Sequence, residues 1–300
     1  MGWRFVLIFA LHLAAVLPNT LAWRLMLPPE QRASVPFPAL AGMLLAGDAV
    51  NAVTPSAVVG GEIVRISMLR RHVPTPTAAG ASAVAAMAQH VAQMLFVVAG
   101  AAVALAAAPT GPLRTVLVAA AATAALAAVI PVWLARSRGA WSAVERRLER
   151  TRWWNRLKRG REAGWTALVD ATLGALERRP GDFALAVALY GAGWLVGAVE
   201  AWLVLRMLGA PVAVRQAFVI EALAVAIEAL FFFVPAKIGT QEGGKYVVFR
   251  ALGLDPAHGI ALGLIRRMRE LAWAAVGLAL LGGMPRQPRT EILAPGSEEA

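Results

Sequence analysis

The sequence predicts an all-helical bundle that crosses a membrane several times, and three observations carry that prediction. Composition is the first: 59% of the 300 residues are apolar and 16% are charged, with a mean hydropathy of +0.62. A soluble surface does not tolerate so few charges. The second is pattern, because seven apolar stretches, with room for an eighth crossing, run 4–23, 39–54, 77–107, 113–135, 182–205, 212–234 and 257–283. Most approach the roughly 20 residues that span a bilayer. They favour Ala and Gly over β-branched residues, which suits helices packed in lipid and not the strands of an outer-membrane barrel. The third is a polar motif that occurs twice.

The first stretch has features of a signal peptide, since Arg4 precedes an apolar run and Thr20-Leu21-Ala22 offers a cleavage context. Six further spans need no cleavable leader, and His12, Pro18 and Asn19 read as the polar face of an embedded helix. The helix is expected to stay. The second stretch opens the first copy of the motif: Asp48, Pro55 seven residues on, Glu62 seven further, then Arg65, Arg70 and Pro76. The second copy reads Glu228, Pro235, Glu242, Lys245, Arg250 and Pro256, an offset of 180 throughout with no insertion. Repeated halves with Pro/Gly-interrupted apolar segments are how many transporters build a site between pseudo-equivalent arms.

Pro55 and Pro235 each remove a backbone donor, and Gly60, Gly61, Gly239, Gly243 and Gly244 permit unwound backbone. Each motif is therefore expected to interrupt its helix. Broken backbone at membrane depth is tolerated only beside protein or a water-filled cavity, and exposed helix N-termini favour an anion. The plainer alternative makes these residues loops between ordinary helices, with Glu62 and Arg65 a surface pair. Two matched copies weigh against it.

Between the halves, the stretch 136–179 holds twelve Lys/Arg against five Asp/Glu within a net charge of +11. By the positive-inside rule it is cytoplasmic. Trp141, Val144 and Leu148, then Trp165, Leu168, Thr172 and Leu176, recur at helical spacing, as in interfacial amphipathic helices. Trp153 and Trp154 would lie at headgroup level beside Arg152 and Arg156, which reach anionic lipid. A solvated topology determinant is the plainer reading. If both motifs dip in and return, both are expected to open on the cytoplasmic side and the repeats to be parallel. A full crossing by one would invert them.

The last stretch carries Arg266, Arg267, Arg269 and Glu270 near its middle. Such groups cost at least ~2.5 kcal/mol each near the bilayer centre and by default mark a functional cavity. Asp48, Glu200, Glu221 and Glu228 are candidate partners. At the corresponding place in the first repeat stand Gln89, His90 and Gln93, with His90 aligned to Glu270. His90 reads as a proton-relay candidate or, more plainly, a hydrogen-bonded packing histidine. Zero cysteines exclude disulfides and thiolate metal sites, and four scattered histidines lack zinc spacing. No metal or other cofactor is implied, and the membrane context argues against nucleic acid.

These residues resemble a known family. Asn51-x3-Pro55-x4-Gly60-Gly61-Glu62-x2-Arg65 looks like the first signature of the bacterial flippase-like membrane proteins related to the transmembrane domain of lysylphosphatidylglycerol synthases. Pro235-x3-Gly239-x2-Glu242, then Leu252-Gly253 and an arginine within Arg266-Arg267, looks like the second. The short chain, with no attached synthase domain, looks closest to the members associated with hopanoid biosynthesis. Gln89-His90 departs from the arginine-containing pair that members often show. The resemblance implies a multi-pass protein of the bacterial inner membrane that moves a hopanoid, or an anionic or modified phospholipid, between leaflets or membranes. It does not imply aminoacyl transfer, which in the synthases belongs to a separate soluble domain.

One transmembrane domain is thus expected over 1–283, with repeat one at about 39–107, the basic connection at 136–181 and repeat two at about 212–283. The polar tail 284–300 is expected to be disordered. Arg65, Lys245 and Arg266 or Arg267 would meet the headgroup, with Glu62, Glu242, Asp48 and Glu228 ordering those bases. Asn51, Pro55, Gly61, Pro235, Gly239, His90 and Glu270 complete the candidate substrate site. The alternatives are a membrane-embedded enzyme of lipid modification, for which no nucleophile constellation is present, and a scaffold that gathers lipid-modifying enzymes through its basic connection.

Overall fold

The computed structural model describes residues 4–54, 59–107, 110, 112–137, 174, 179–231, 234 and 239–283. Among them the regular structure is helical throughout: α1 (Arg4–Met26), a 3-10 turn at Pro29–Gln31, α2 (Phe37–Val53), α3 (Val59–Leu69), α4 (Thr75–Ala107), α5 (Pro112–Arg136), α6 (Pro180–Met207), α7 (Val214–Leu230), α8 (Thr240–Ala251) and α9 (Pro256–Gly282). Boundaries follow local chemistry. Pro36, Arg179-Pro180 and Asp255-Pro256 start helices where a missing N–H costs nothing. Asp255 also accepts the Ala257 N–H at 2.9 Å, and Gln216 accepts the Ala213 N–H at 2.9 Å at the start of α7.

Four helices, at Val6–Met26, Thr75–Ala107, Leu113–Leu134 and Pro180–Met207, are long and apolar enough to cross a membrane. Helix α9 is equally long but carries the four mid-helix charges. The outer surface is apolar: Val116, Leu126, Val129, Ile130 and Trp133 of α5 are exposed. In lipid the attraction between helices comes from close packing over small residues. Gly277 of α9 sits against the Leu45 carbonyl and Ala49 of α2, and Gly100 of α4 against Ala222 of α7. Helices α1 and α6 lie along each other, α2 packs on α9, and α4 packs on α5, α6 and α7.

Two clusters mark the ends of the bundle. At one end Leu27, Val35, Leu69 and Val73 are buried together, with Leu281 packed against them. The Arg32–Asp182 ion pair at 2.6 Å and the Arg179 bond to the Leu27 carbonyl at 2.7 Å bring the end of the basic connection to the same place. At the other end Ile8, Leu205, Ala210 and Val212 are buried together, with Leu252 and Leu254 against them. Helices α1, α6 and α9 therefore run from end to end.

The two motif segments do not cross. Helix α3 returns to the level where α2 begins, where the Ser34 hydroxyl reaches the His72 carbonyl at 3.5 Å. Helix α8 returns to the level where α7 begins, since Leu252 and Val212 share the far cluster. Stretches 39–54 and 212–234 are thus arms of hairpins and not spans. The hairpins open at opposite ends, and this corrects the expectation that two returning motifs open on one side. The physical reason is parity: only α6 crosses between the basic connection and the second hairpin. Apart from residue 174, the proposed amphipathic helices at 141–176 lie outside the described residues, as does the tail 284–300.

Candidate functional site

Each hairpin holds a buried cation against a carboxylate that lies seventeen residues earlier in the sequence. In the first, Arg65 is 7% exposed and donates to Asp48 Oδ1 at 2.5 Å and to Glu62 Oε1 at 2.5 Å. The two arms are tied by the Gly61 N–H, which donates to Asn51 Oδ1 at 2.7 Å. A Cβ on Gly61 would collide with the Gly47 carbonyl and the Asn51 side chain, so glycine is what lets α3 touch α2. In the second hairpin Lys245, wholly buried, donates to Glu228 Oε1 at 3.1 Å. Gly239 caps α8 at φ 77°, a left-handed conformation that favours glycine.

Helix α9 brings its charges between the hairpins. Arg266 donates to Glu221 Oε1 at 2.6 Å and to the Gly197 carbonyl at 2.6 Å, and its Nε lies 3.6 Å from Glu200 Oε1. Arg269 donates to Glu200 Oε2 and stands 3.9 Å from Glu270 Oε1. Gln241 of α8 donates to both Glu270 oxygens, at 3.0 and 3.2 Å. Arg267 Nε faces Glu242 Oε1 at 3.5 Å.

These groups border two neighbouring cavities. The central one, about 310 Å³, is lined by Asn19, Gln89, Tyr190, Glu200, Glu221, Glu228, Gln241 and Arg266, together with His12, Asp48, Arg269 and Glu270. The second, about 300 Å³, lies between α1, α2 and α9, shares those last four residues and adds Asn51, Arg267 and Trp273. Trp273 is fixed by stacking on Phe9 at 4.3 Å and by donating to the Phe9 carbonyl at 3.2 Å.

Of the expected site residues, Asp48, Asn51, Glu228, Arg266, Arg267 and Glu270 line a cavity. Glu62 and Arg65 abut Tyr190 and Gln89 at its edge. Lys245, Glu242, Gly61 and Gly239 support it from the hairpins. His90 stands apart, exposed on the outer face of α4, while its neighbour Gln89 faces the cavity. Pro55 and Pro235 lie outside the described residues. Sequence reading missed Tyr190 and Gln241, which resemble any other polar residue on an amphipathic helix. Glu200 and Glu221 were legible as lone acids in apolar stretches, although their partners were not.

The arrangement can enclose a polar group at mid-bundle. Arg65, Lys245, Arg266, Arg267 and Arg269 each meet a carboxylate of this chain. Among the described residues no group of acids and histidines is arranged to hold a metal ion. No curated protein and no solved structure matches the chain. The family model for the lysylphosphatidylglycerol synthase TM region matches residues 1–278. With that match over nearly the whole chain, on a helical membrane fold with charged groups between two hairpins, the protein belongs to the lysylphosphatidylglycerol synthase transmembrane-region family.

Proposed function

We propose that the protein moves a polar-headed lipid between the leaflets of the bacterial inner membrane. The observation that carries this reading is a charged cavity at mid-bundle, flanked by two hairpins that open at opposite ends. Helices α1–α4 and α6–α9 follow one plan of span, hairpin and span, and α2–α9 contact mirrors α7–α4 contact. That pattern supports an inverted repeat with its pseudo-two-fold axis in the membrane plane, the arrangement through which transporters present one site to either face in turn. The basic end is cytoplasmic on this reading.

The headgroup enters between α1, α2 and α9, where Asp48, Asn51 and Glu270 meet the apolar Leu45, Ala49 and Leu271. The acyl chains stay in lipid. Because the arginines and Lys245 already meet carboxylates, a headgroup that donates hydrogen bonds fits better than a bare phosphate. A hydroxylated hopanoid and a modified phospholipid both meet that condition. The protein acts without chemistry of its own on the lipid, and the enzyme alternative requires purified protein to yield a new lipid product.

The test is lipid extraction from separated inner and outer membranes of a deletion strain, complemented by wild type or by Glu62→Gln plus Glu242→Gln. Transport predicts unchanged total lipid with a shifted distribution that the double variant fails to restore. Complete loss of a modified lipid would assign the protein to synthesis instead.

A further inference from the structure

Among the described residues, the charged cluster around α9 does not balance. Around Arg266 and Arg269 stand three carboxyl groups, Glu200, Glu221 and Glu270, and two guanidiniums. The remaining contacts are uncharged: Arg266 also donates to the Gly197 carbonyl at 2.6 Å, and the Gln241 amide donates to Glu270. If all three carboxyls are ionised, the cluster carries one uncompensated negative charge.

The setting makes that charge costly. Arg266 to Glu270 occupy the middle of the 27-residue α9, far from both ends. The side chains of Glu200 and Glu221 are 2% and 4% exposed. A free carboxylate in such surroundings lacks the hydration that offsets its charge in water. Two oxygens moreover have no hydrogen-bond partner, Glu200 Oε1 and Glu221 Oε2, and both side chains line the central cavity. Each is a place where an O–H can form without breaking an existing bond. Gln241 Oε1 is likewise unpartnered. An amide that turns over can donate to an ionised Glu270 or accept from a protonated one, so Gln241 serves both states.

Among the described residues, the charges facing the cluster from other elements do not supply the missing cation. His12 of α1 and Tyr190 of α6 are neutral in their ordinary forms. Asp48 of α2 and Glu228 of α7 are further acids on the same cavity. Arg65 of α3 is held by Asp48 and Glu62, Lys245 of α8 by Glu228, and Arg267 by Glu242.

We infer that Glu200, Glu221 and Glu270 together bind one exchangeable proton, held against Arg266 and Arg269, and that its uptake and release drive the lipid movement. Water at one face supplies the proton, one carboxylate oxygen accepts it, and water at the other face receives it back. Only O–H bonds form and break. The proton belongs to the cluster and not to one residue, because the three carboxyl groups share two guanidiniums. The coupling rests on the transport reading; the proton site does not.

Infrared spectroscopy of the full chain in phosphatidylcholine vesicles, without added lipid substrate, reads the site directly. The expected result is a protonated-carboxyl C=O band at neutral pH that shifts in D2O and disappears on alkalinisation. Glu221→Gln and Glu200→Gln should each weaken it, and Glu30→Gln, on an exposed surface turn, should leave it unchanged. Absence of the band from the wild type overturns the site, whatever the variants do. So does a band indifferent to changes at Glu200, Glu221 and Glu270, or one that sodium removes at constant pH. A fluorescent headgroup-bearing lipid in the same vesicles then reads the coupling. Movement that accelerates under an imposed pH gradient is expected. Equal movement with and without the gradient overturns the coupling alone, whereas a present band with no lipid movement overturns the transport reading and leaves the site standing.

Discussion

Lys245 has no exposed surface, and its ammonium lies 3.1 Å from Glu228. Such a pair is weak evidence for stability as a whole, because both ions must be desolvated, but losing one partner strands the other. Lys245→Met should therefore destabilise the protein by about 3–5 kcal/mol, read as a lowered unfolding temperature in detergent. Adding Glu228→Gln removes the carboxylate that faced Lys245 and should recover a substantial part of that loss. A double variant no more stable than the single one would show that packing of the lysine stem, and not the charge pair, holds the second hairpin. Asp48 and Arg65 occupy the same relative positions in the first hairpin, yet there one guanidinium serves both Asp48 and Glu62. Arginine can do this because its planar fork presents several donors at once, which an ammonium on a flexible stem does not.

Among the elements, the hairpins depend on how closely their arms approach. Gly61→Ala puts a methyl into the Gly47 backbone carbonyl as well as the Asn51 side chain, and the carbonyl cannot swing aside. It should cost about 1–3 kcal/mol and weaken the Asn51 bond to the Gly61 N–H. Gly243, inside α8, would bring its Cβ within 4 Å of nothing described. There Gly243→Ala should be neutral or stabilising by about 0.5–1 kcal/mol, since alanine loses less backbone entropy in a helix. Thermal unfolding of the two variants side by side checks the contrast. Equal effects would mean that helix propensity, not arm contact, governs both sites. Helix α9 shows the converse economy: its charges are tolerated because α6, α7 and α8 each present a partner at the right height.

For the whole molecule, the opposed hairpins make a prediction that the cysteine-free chain is suited to test. Single cysteines at the exposed Ser34 and Arg71 should react with a membrane-impermeant maleimide from one face. Cysteines at the exposed Ala213 and Asp255 should react only from the other. Labelling of all four from one side would refute the opposed arrangement and with it the inverted repeat. The same experiment assigns the basic end, which is expected to face the cytoplasm.

The sequence by itself determined that the chain is helical and lives in a membrane, because apolar length and small-residue content leave no other way to satisfy backbone hydrogen bonds in lipid. It also singled out the charged groups: Asp48, Glu62, Arg65, Glu228, Glu242 and Lys245 stand out by matched spacing, and Arg266 to Glu270 by sitting where charge is costly. What only the tertiary structure decided is which of these groups meet, and from which side. Hydropathy cannot tell a full crossing from a hairpin arm, since both are apolar, and miscounting one reverses the parity of everything after it. Nor can spacing along α9 say that Arg266 reaches Glu221 while Arg269 reaches Glu200, or that His90 turns outward and Gln89 inward. Those outcomes rest on helix rotation and height, which are set by contacts such as Gly277 on Leu45 and Gly100 on Ala222, between residues far apart in the chain.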